Sequence, residues 1–390
     1  MGLIRWLLAI AVLVTHSEQI LGFHFLGGSA AVRTFFMISG FYMTLILNRK
    51  YLKLENGYRL FITNRFLRLY PIYWIVFLVT LCVCLLGYVG FHNPYLLTPY
   101  VTQSHNLNLL AWGLVIVSNL IIFLQASLSF VDFYQGHIFI TRTHPVAVPG
   151  WQFLLVPQAW SIGLELTFYS VAPFFVGRSL RFVVLLIAAA AGSLALIYLS
   201  GLTVGAWGQR FFISGFVHFA CGALTYKLYE AYLKKYFTKA FATVLLVAWV
   251  VTTVDNNLLP GDVGYWIYFV QSFVSIPFVF NLSKDWKWDR FIGEFSYPVY
   301  LSHYVVIGIM SFIFARYHWS QSWLGEAALV ATMAGSFLLL KFVSVPIDRI
   351  REDRVARGRN KTTVAQTDAL NDTLAATGQL KGVVNADKQL

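Results

Sequence analysis

Apolar runs of about twenty residues recur along this chain from Gly2 to about Val345. Each is long enough to span a hydrocarbon core of about 30 Å at 1.5 Å of helical rise per residue. We count eleven, over residues 3–21, 31–48, 70–90, 107–125, 159–177, 181–200, 208–229, 240–256, 264–282, 292–315 and 323–345. In lipid every backbone N–H and C=O must bond within the protein, which leaves helices and closed barrels. Barrel strands alternate apolar and polar residues over about 10 positions, and these runs do not. The expected fold is an all-α polytopic membrane bundle. Composition agrees: only 12% of residues are charged, against about 25% in soluble chains.

The charged loops set an expected topology. Loop 49–69 carries Arg49, Lys50, Lys53, Arg59, Arg65 and Arg68, whereas 91–106 carries no Lys or Arg. Further basic loops hold Lys227, Lys234, Lys235 and Lys239, then Lys284, Lys287 and Arg290. Basic loops face the cytoplasm, so the net charge of +12 needs no nucleic-acid partner. Eleven strict crossings would put the later basic loops outside. The charges agree if segment 107–125 or segment 159–177 is partial or re-entrant. That leaves about ten transmembrane helices with both termini cytoplasmic, and suggests that residues 91–177 build part of a cavity. The expected domains are a membrane domain over 1–350 and a polar cytoplasmic tail over 351–390, disordered or loosely helical. The first run lacks a small-residue cleavage site and reads as a helix that is kept. No internal repeat is visible. Cys82, Cys84 and Cys221 lie in apolar runs and read as buried packers. Neither they nor the dispersed His92, His105, His137 and His144 suggest a metal site.

Five stretches place chemistry inside this apolar frame. Arg5 and His16, in RWLLAIAVLVTH, are eleven residues apart. They share one helix face and lie about 16 Å apart along the axis. Arg5 is expected near one membrane surface and His16 deep. Histidine is the commonest general base, and arginine can hold an anion. The plain alternatives are a snorkelling Arg5 and a hydrogen-bonded His16. In FFMISGFYMT, Ser39 and Gly40 interrupt bulky residues and read first as close-packing positions; Ser39 as a nucleophile would need an adjacent base. In NRFLRLYP, Arg65 and Arg68 share a face and can clamp phosphates, or simply anchor the helix at lipid headgroups. In WSIGLELTFYSVAPFF, Ser161 and Glu165 face the same way, and a Glu within such a segment is either paired or functional. In FSYPVYLSHYVV, Ser296, Tyr300 and His303 line one helical face.

In these five stretches together the chain resembles the acyltransferase 3 family of integral membrane acyltransferases, over about residues 3–345. The family's Arg and His eleven apart match Arg5 and His16. Its Phe-x-x-Ser-Gly-Phe element matches Phe36, Ser39, Gly40 and Phe41, and its Arg-x-x-Arg pair matches Arg65 and Arg68. Its Trp-Ser…Glu…Phe-Tyr…Pro element matches Trp160, Ser161, Glu165, Phe168, Tyr169 and Pro173. Its Ser-Tyr…Tyr-Leu-x-His element matches Ser296, Tyr297, Tyr300, Leu301 and His303. The chain departs from the family at Ser302, often aromatic, and at Leu166 and Thr167, where a second acid or Gln is common. The polar tail is too short for the soluble esterase-like domain that some members carry.

The resemblance implies transfer of an acyl group, most often acetyl, from cytoplasmic acyl-coenzyme A to a hydroxyl of a cell-surface, secreted or lipid-linked glycan in a bacterial cytoplasmic membrane. It implies no permanently bound cofactor; acyl-coenzyme A is the donor substrate, and the partners are the glycan acceptor and membrane lipids. Arg65 and Arg68 would hold donor phosphates, Arg5 phosphate or thioester, and His16 would act on the acceptor hydroxyl or carry the acyl group. Glu165 or His303 would orient or relay protons, and Tyr300 would meet the oxyanion. The competing functional classes are a transporter or flippase of an anionic lipid-linked or acyl compound and a regulatory membrane protein that keeps the fold without the activity. Transporters often carry repeats.

Overall fold

The computed structural model of the chain describes residues 1–141, 146–201, 206–358 and 360. Its helices are α1 (Gly2–His16), α2 (Gly28–Ile46), α3 (Gly57–Phe91), α4 (Thr98–Thr102), α5 (Leu109–Leu120), α6 (Trp160–Phe175), α7 (Leu180–Leu199), α8 (Ala206–Gln209), α9 (Phe212–Leu228), α10 (Lys239–Val254), α11 (Gly261–Ser283), α12 (Lys287–Arg316) and α13 (Leu324–Leu339). Among the described residues, seven helical stretches are long and apolar enough to cross a membrane, and α1, α5 and α10 are shorter apolar helices. The chain is an integral membrane protein built as an all-α bundle.

Every apolar run of the sequence contains a helix, and the ends differ where local chemistry dictates. The first run extends to residue 21, but α1 stops at His16. Polar residues Ser17, Glu18 and Gln19 follow, and the Ser17 N–H closes the last turn on Val14. α3 begins at Gly57 rather than near residue 70, so Arg65 and Arg68 lie inside one helix of 35 residues. The last helix runs on without a break to Gly358. There Val355 is buried and Arg354 donates to Thr63 at 2.8 Å, so the first residues of the polar segment pack on α3. Residue 359 and the rest of the tail from 361 lie outside the described residues.

Segment 107–125 folds back on itself. α5 has 12 residues, about 18 Å of helix, too short for the hydrocarbon core. The chain then turns back through the 3-10 run Ile122–Ser129, which packs along α6. It ends in a small antiparallel sheet of β1 (Val131–Tyr134), β2 (His137–Ile140) and β3 (Val148–Pro149), in the order β2-β1-β3. The β1–β2 turn returns to the start of α5, with the Gly136 N–H on the Asn106 carbonyl at 3.0 Å. α5 therefore enters and leaves at one end of the bundle. The sheet, unannounced by the sequence, caps that end around Phe133 and Phe153.

α1 packs against α2 and α12. Asp289 on α12 accepts from the backbone N–H of Gly2 at 2.8 Å and Leu3 at 2.9 Å, satisfying donors that a helix start leaves free. α2 and α9 meet backbone to backbone: a Cβ on Gly40 would sit 1.9 Å from the Phe219 carbonyl oxygen, and one on Gly222 would sit 1.8 Å from that of Met37. The basic loops gather at the end where α1 starts, tied by Arg49 to Glu230 at 3.1 Å and by Lys227 to the Arg178 carbonyl at 2.6 Å. We call this the Arg5 end and the other the His16 end. The cysteines pack less uniformly than expected: Cys84 is buried, Cys221 half-buried and Cys82 exposed. Residues two apart on α3 face opposite ways, one inward and one toward lipid. His144 lies outside the described residues.

Candidate active site

A cavity of about 430 Å³ runs along the bundle axis, within the size range of small-molecule sites, about 300–1,000 Å³. Exposed Lys284 and Arg290 line its mouth at the Arg5 end, and Ser161 and Tyr300 line its far wall. Arg5, Arg65, Arg68, Glu165 and Tyr300 all border it, whereas His16 and His303 do not.

Each cation meets a different environment. Arg5 donates to Ser296 at 2.8 Å, joining α1 to the face of α12 that carries Tyr300 and His303. Arg68 pairs with Glu294 at 3.3 Å, both side chains partly exposed. Arg65 is 6% exposed and lies over the rings of Phe61 and Tyr169 at 5.7 and 5.9 Å, and its Nε has no partner. The two arginines share a helix face but are not an equivalent pair. Glu294 escaped the sequence reading. A carboxylate inside the apolar run 292–315 was the available signal.

Glu165 sits in a cluster of hydroxyls. Ser39 on α2 donates to its Oε1 at 2.5 Å, Tyr169 donates to the same oxygen, and the Ser39 and Tyr169 hydroxyls are 3.0 Å apart. Gly40 serves the close packing, but Ser39 does not. The adjacent base that the sequence failed to supply for Ser39 is present as Glu165, 126 positions away.

At the far wall, the Tyr300 hydroxyl lies 2.6 Å from Ser161 Oγ and donates to the Gln158 carbonyl at 3.0 Å. Gln158 in turn donates to the Leu301 carbonyl at 2.5 Å, so α6 and α12 are stitched at this level. One turn beyond, His303 is fully buried, and its Nδ1 lies 2.7 Å from the Tyr300 carbonyl. A carbonyl only accepts, so Nδ1 carries the proton and Nε2 keeps its lone pair; Nε2 has no partner among the described residues. The His16 ring stacks on His303, with centroids 5.4 Å apart, and meets Tyr304 edge-on at 5.3 Å. His16 lies at the end of its helix rather than within it, where the expected run to residue 21 would put it. It is the last residue of α1 and is exposed, because the helix ends there. Its ring leans back toward the helix start, the direction helical side chains take. The structure thus joins two histidines that the sequence offered separately. Beside them, Tyr95 in the loop after α3 donates to the Tyr304 carbonyl at 3.0 Å, and burial raises its pKa, keeping the hydroxyl protonated.

The profile of the acyltransferase 3 acyltransferase domain matches residues 1–341. The chain belongs to the acyltransferase 3 family. It is a membrane acyltransferase, and the cavity and histidine stack lie within the matched span. Comparison with curated proteins and with solved structures found no match.

Proposed function

We propose that this acyltransferase 3 protein is an O-acyltransferase, most specifically an O-acetyltransferase. In this reading it moves the acyl group of cytoplasmic acyl-coenzyme A to a hydroxyl of a cell-surface, secreted or lipid-linked glycan, across a bacterial cytoplasmic membrane with both termini inside. The observation that carries it is the order of polar groups along the bundle. A cavity lined by Arg5, Arg65 and Arg68 ends at Tyr300, one helical turn from the His303–His16 stack.

Coenzyme A is polyanionic at one end and carries its thioester on a long neutral arm. Arg65, with an unpaired Nε, Lys284 and Arg290 suit the phosphates. The arm follows the cavity and brings the thioester to the Ser161–Tyr300 wall. His16 accepts the proton of the acceptor hydroxyl as its oxygen attacks the thioester carbonyl. The C–S bond then breaks, and the leaving thiolate is reprotonated. Tyr300 turns its O–H from Gln158 toward the oxyanion. His303, with a free Nε2, can relay the proton. Glu165, held by Ser39 and Tyr169, orients groups along the cavity wall. No metal or permanently bound cofactor enters the scheme. The test incubates purified protein with labelled acetyl-coenzyme A and a saccharide extract of the producing cell. Free coenzyme A released in proportion to added acceptor supports transfer. Movement of label across the bilayer without release favours a transporter.

A further inference from the structure

The cap and the bundle converge on one cation. Arg210 follows α8, and its guanidinium lies over the rings of Trp160 at 5.3 Å and Trp151 at 5.7 Å. Trp160 opens α6, while Trp151 belongs to the cap and is 41% exposed. Arg210 donates to Ser129 at 3.0 Å. Two residues before it, the Gly208 carbonyl accepts from Arg33 at 3.2 Å, and Arg33 also donates to the Tyr265 hydroxyl. Trp160 is followed directly by Ser161, the partner of Tyr300. Arg49, Arg68 and Arg351 each have a carboxylate partner; among the described residues none forms a salt bridge with Arg210.

A half-buried cation that has no salt-bridge partner among the described residues is costly unless something anionic completes the site. The neighbouring Trp rings supply flat, amphipathic surface against which a sugar ring can lie, and a guanidinium matches carboxylate and phosphate geometry.

We propose that Arg210, Trp151 and Trp160 form the acceptor subsite, and that the acceptor is a saccharide carrying an anionic group, a carboxylate or a phosphate. This rests on the acyltransferase reading above. The anionic group sits on Arg210, the ring lies against Trp151, and the hydroxyl to be acylated is turned toward His16. The experiment titrates the full chain in nanodiscs with methyl β-glucuronide, methyl β-glucoside and methyl β-glucoside 6-phosphate, with binding read by ligand-observed NMR. At least one anionic glycoside is expected to bind about tenfold tighter than the neutral one, and which one does so separates carboxylate from phosphate. Arg210→Gln abolishes that preference, Arg210→Lys restores part of it, and Trp151→Ala weakens all three sugars alike. Coenzyme A binding stays unchanged in every variant, which reports an intact fold. Equal binding of charged and neutral sugars, binding of none of them, or a preference that survives Arg210→Gln would overturn the proposal. If the wild type prefers an anionic glycoside yet never releases coenzyme A with any acceptor, the subsite stands and the transfer reaction falls.

Discussion

Arg65 and Arg68 look interchangeable in NRFLRLYP, and the structure separates them. Arg68 is half neutralised by Glu294, while Arg65 keeps a free Nε beside the cavity. Arg65→Ala should therefore weaken coenzyme A binding more than Arg68→Ala, with a loss that shrinks at high salt if phosphate charge dominates; titration at two ionic strengths checks this. For Arg68 the expected cost is in stability. Arg68→Met strands Glu294, and at this partial exposure that costs about 1 kcal/mol. Arg68→Met with Glu294→Gln recovers most of it, and thermal unfolding of the single and double variants in detergent reads the difference. His16→Ala should leave the fold intact, because the side chain is exposed, and should abolish transfer. Periodicity placed each of these side chains on a helix face. Their partners were not legible, because Arg5–Ser296, Ser39–Glu165 and Ser161–Tyr300 are joined across 291, 126 and 139 positions by packing alone.

Helices were the most legible elements, since lipid enforces internal hydrogen bonding and long apolar runs have no other solution. Helix ends were less so. α1 stops at His16 because three polar residues follow, and that end decides whether the histidine is deep or at an edge. The small sheet was invisible, because its strands are only two to four residues long and lie between apolar segments that dominate any window. Glycine carries a structural message that sequence could state only in general terms. Gly40 and Gly222 let α2 and α9 touch backbone to backbone. Gly40→Val should force them apart and cost about 1–3 kcal/mol or more by overpacking, lowering the unfolding midpoint. Gly113, with no neighbour near its Cβ direction, should accept alanine without such a loss.

At the scale of the whole molecule, charge counting requires one segment to fall short, and we propose that it is α5, which is 12 residues long and folds back on itself. Its re-entrant path puts Ser129 and Arg178 at opposite ends of the bundle. Reporter fusions after Ser129 and after Arg178 should report opposite compartments, external and cytoplasmic; the same compartment for both would break the assignment. The same axis gives the protein its chemical polarity. Arginines and the cavity mouth occupy one end, and the histidine stack and the Trp-flanked Arg210 the other. The central claim is that donor and acceptor approach from opposite ends and meet at His16. Inverted membrane vesicles loaded during growth with the cell's own glycan test it most directly. Labelled acetyl-coenzyme A is supplied to the exposed cytoplasmic face, and label in lumenal saccharide is counted. Wild-type vesicles should accumulate label, and His16→Ala vesicles with equal protein and equal coenzyme A binding should accumulate none. Equal labelling by the two would contradict the claim.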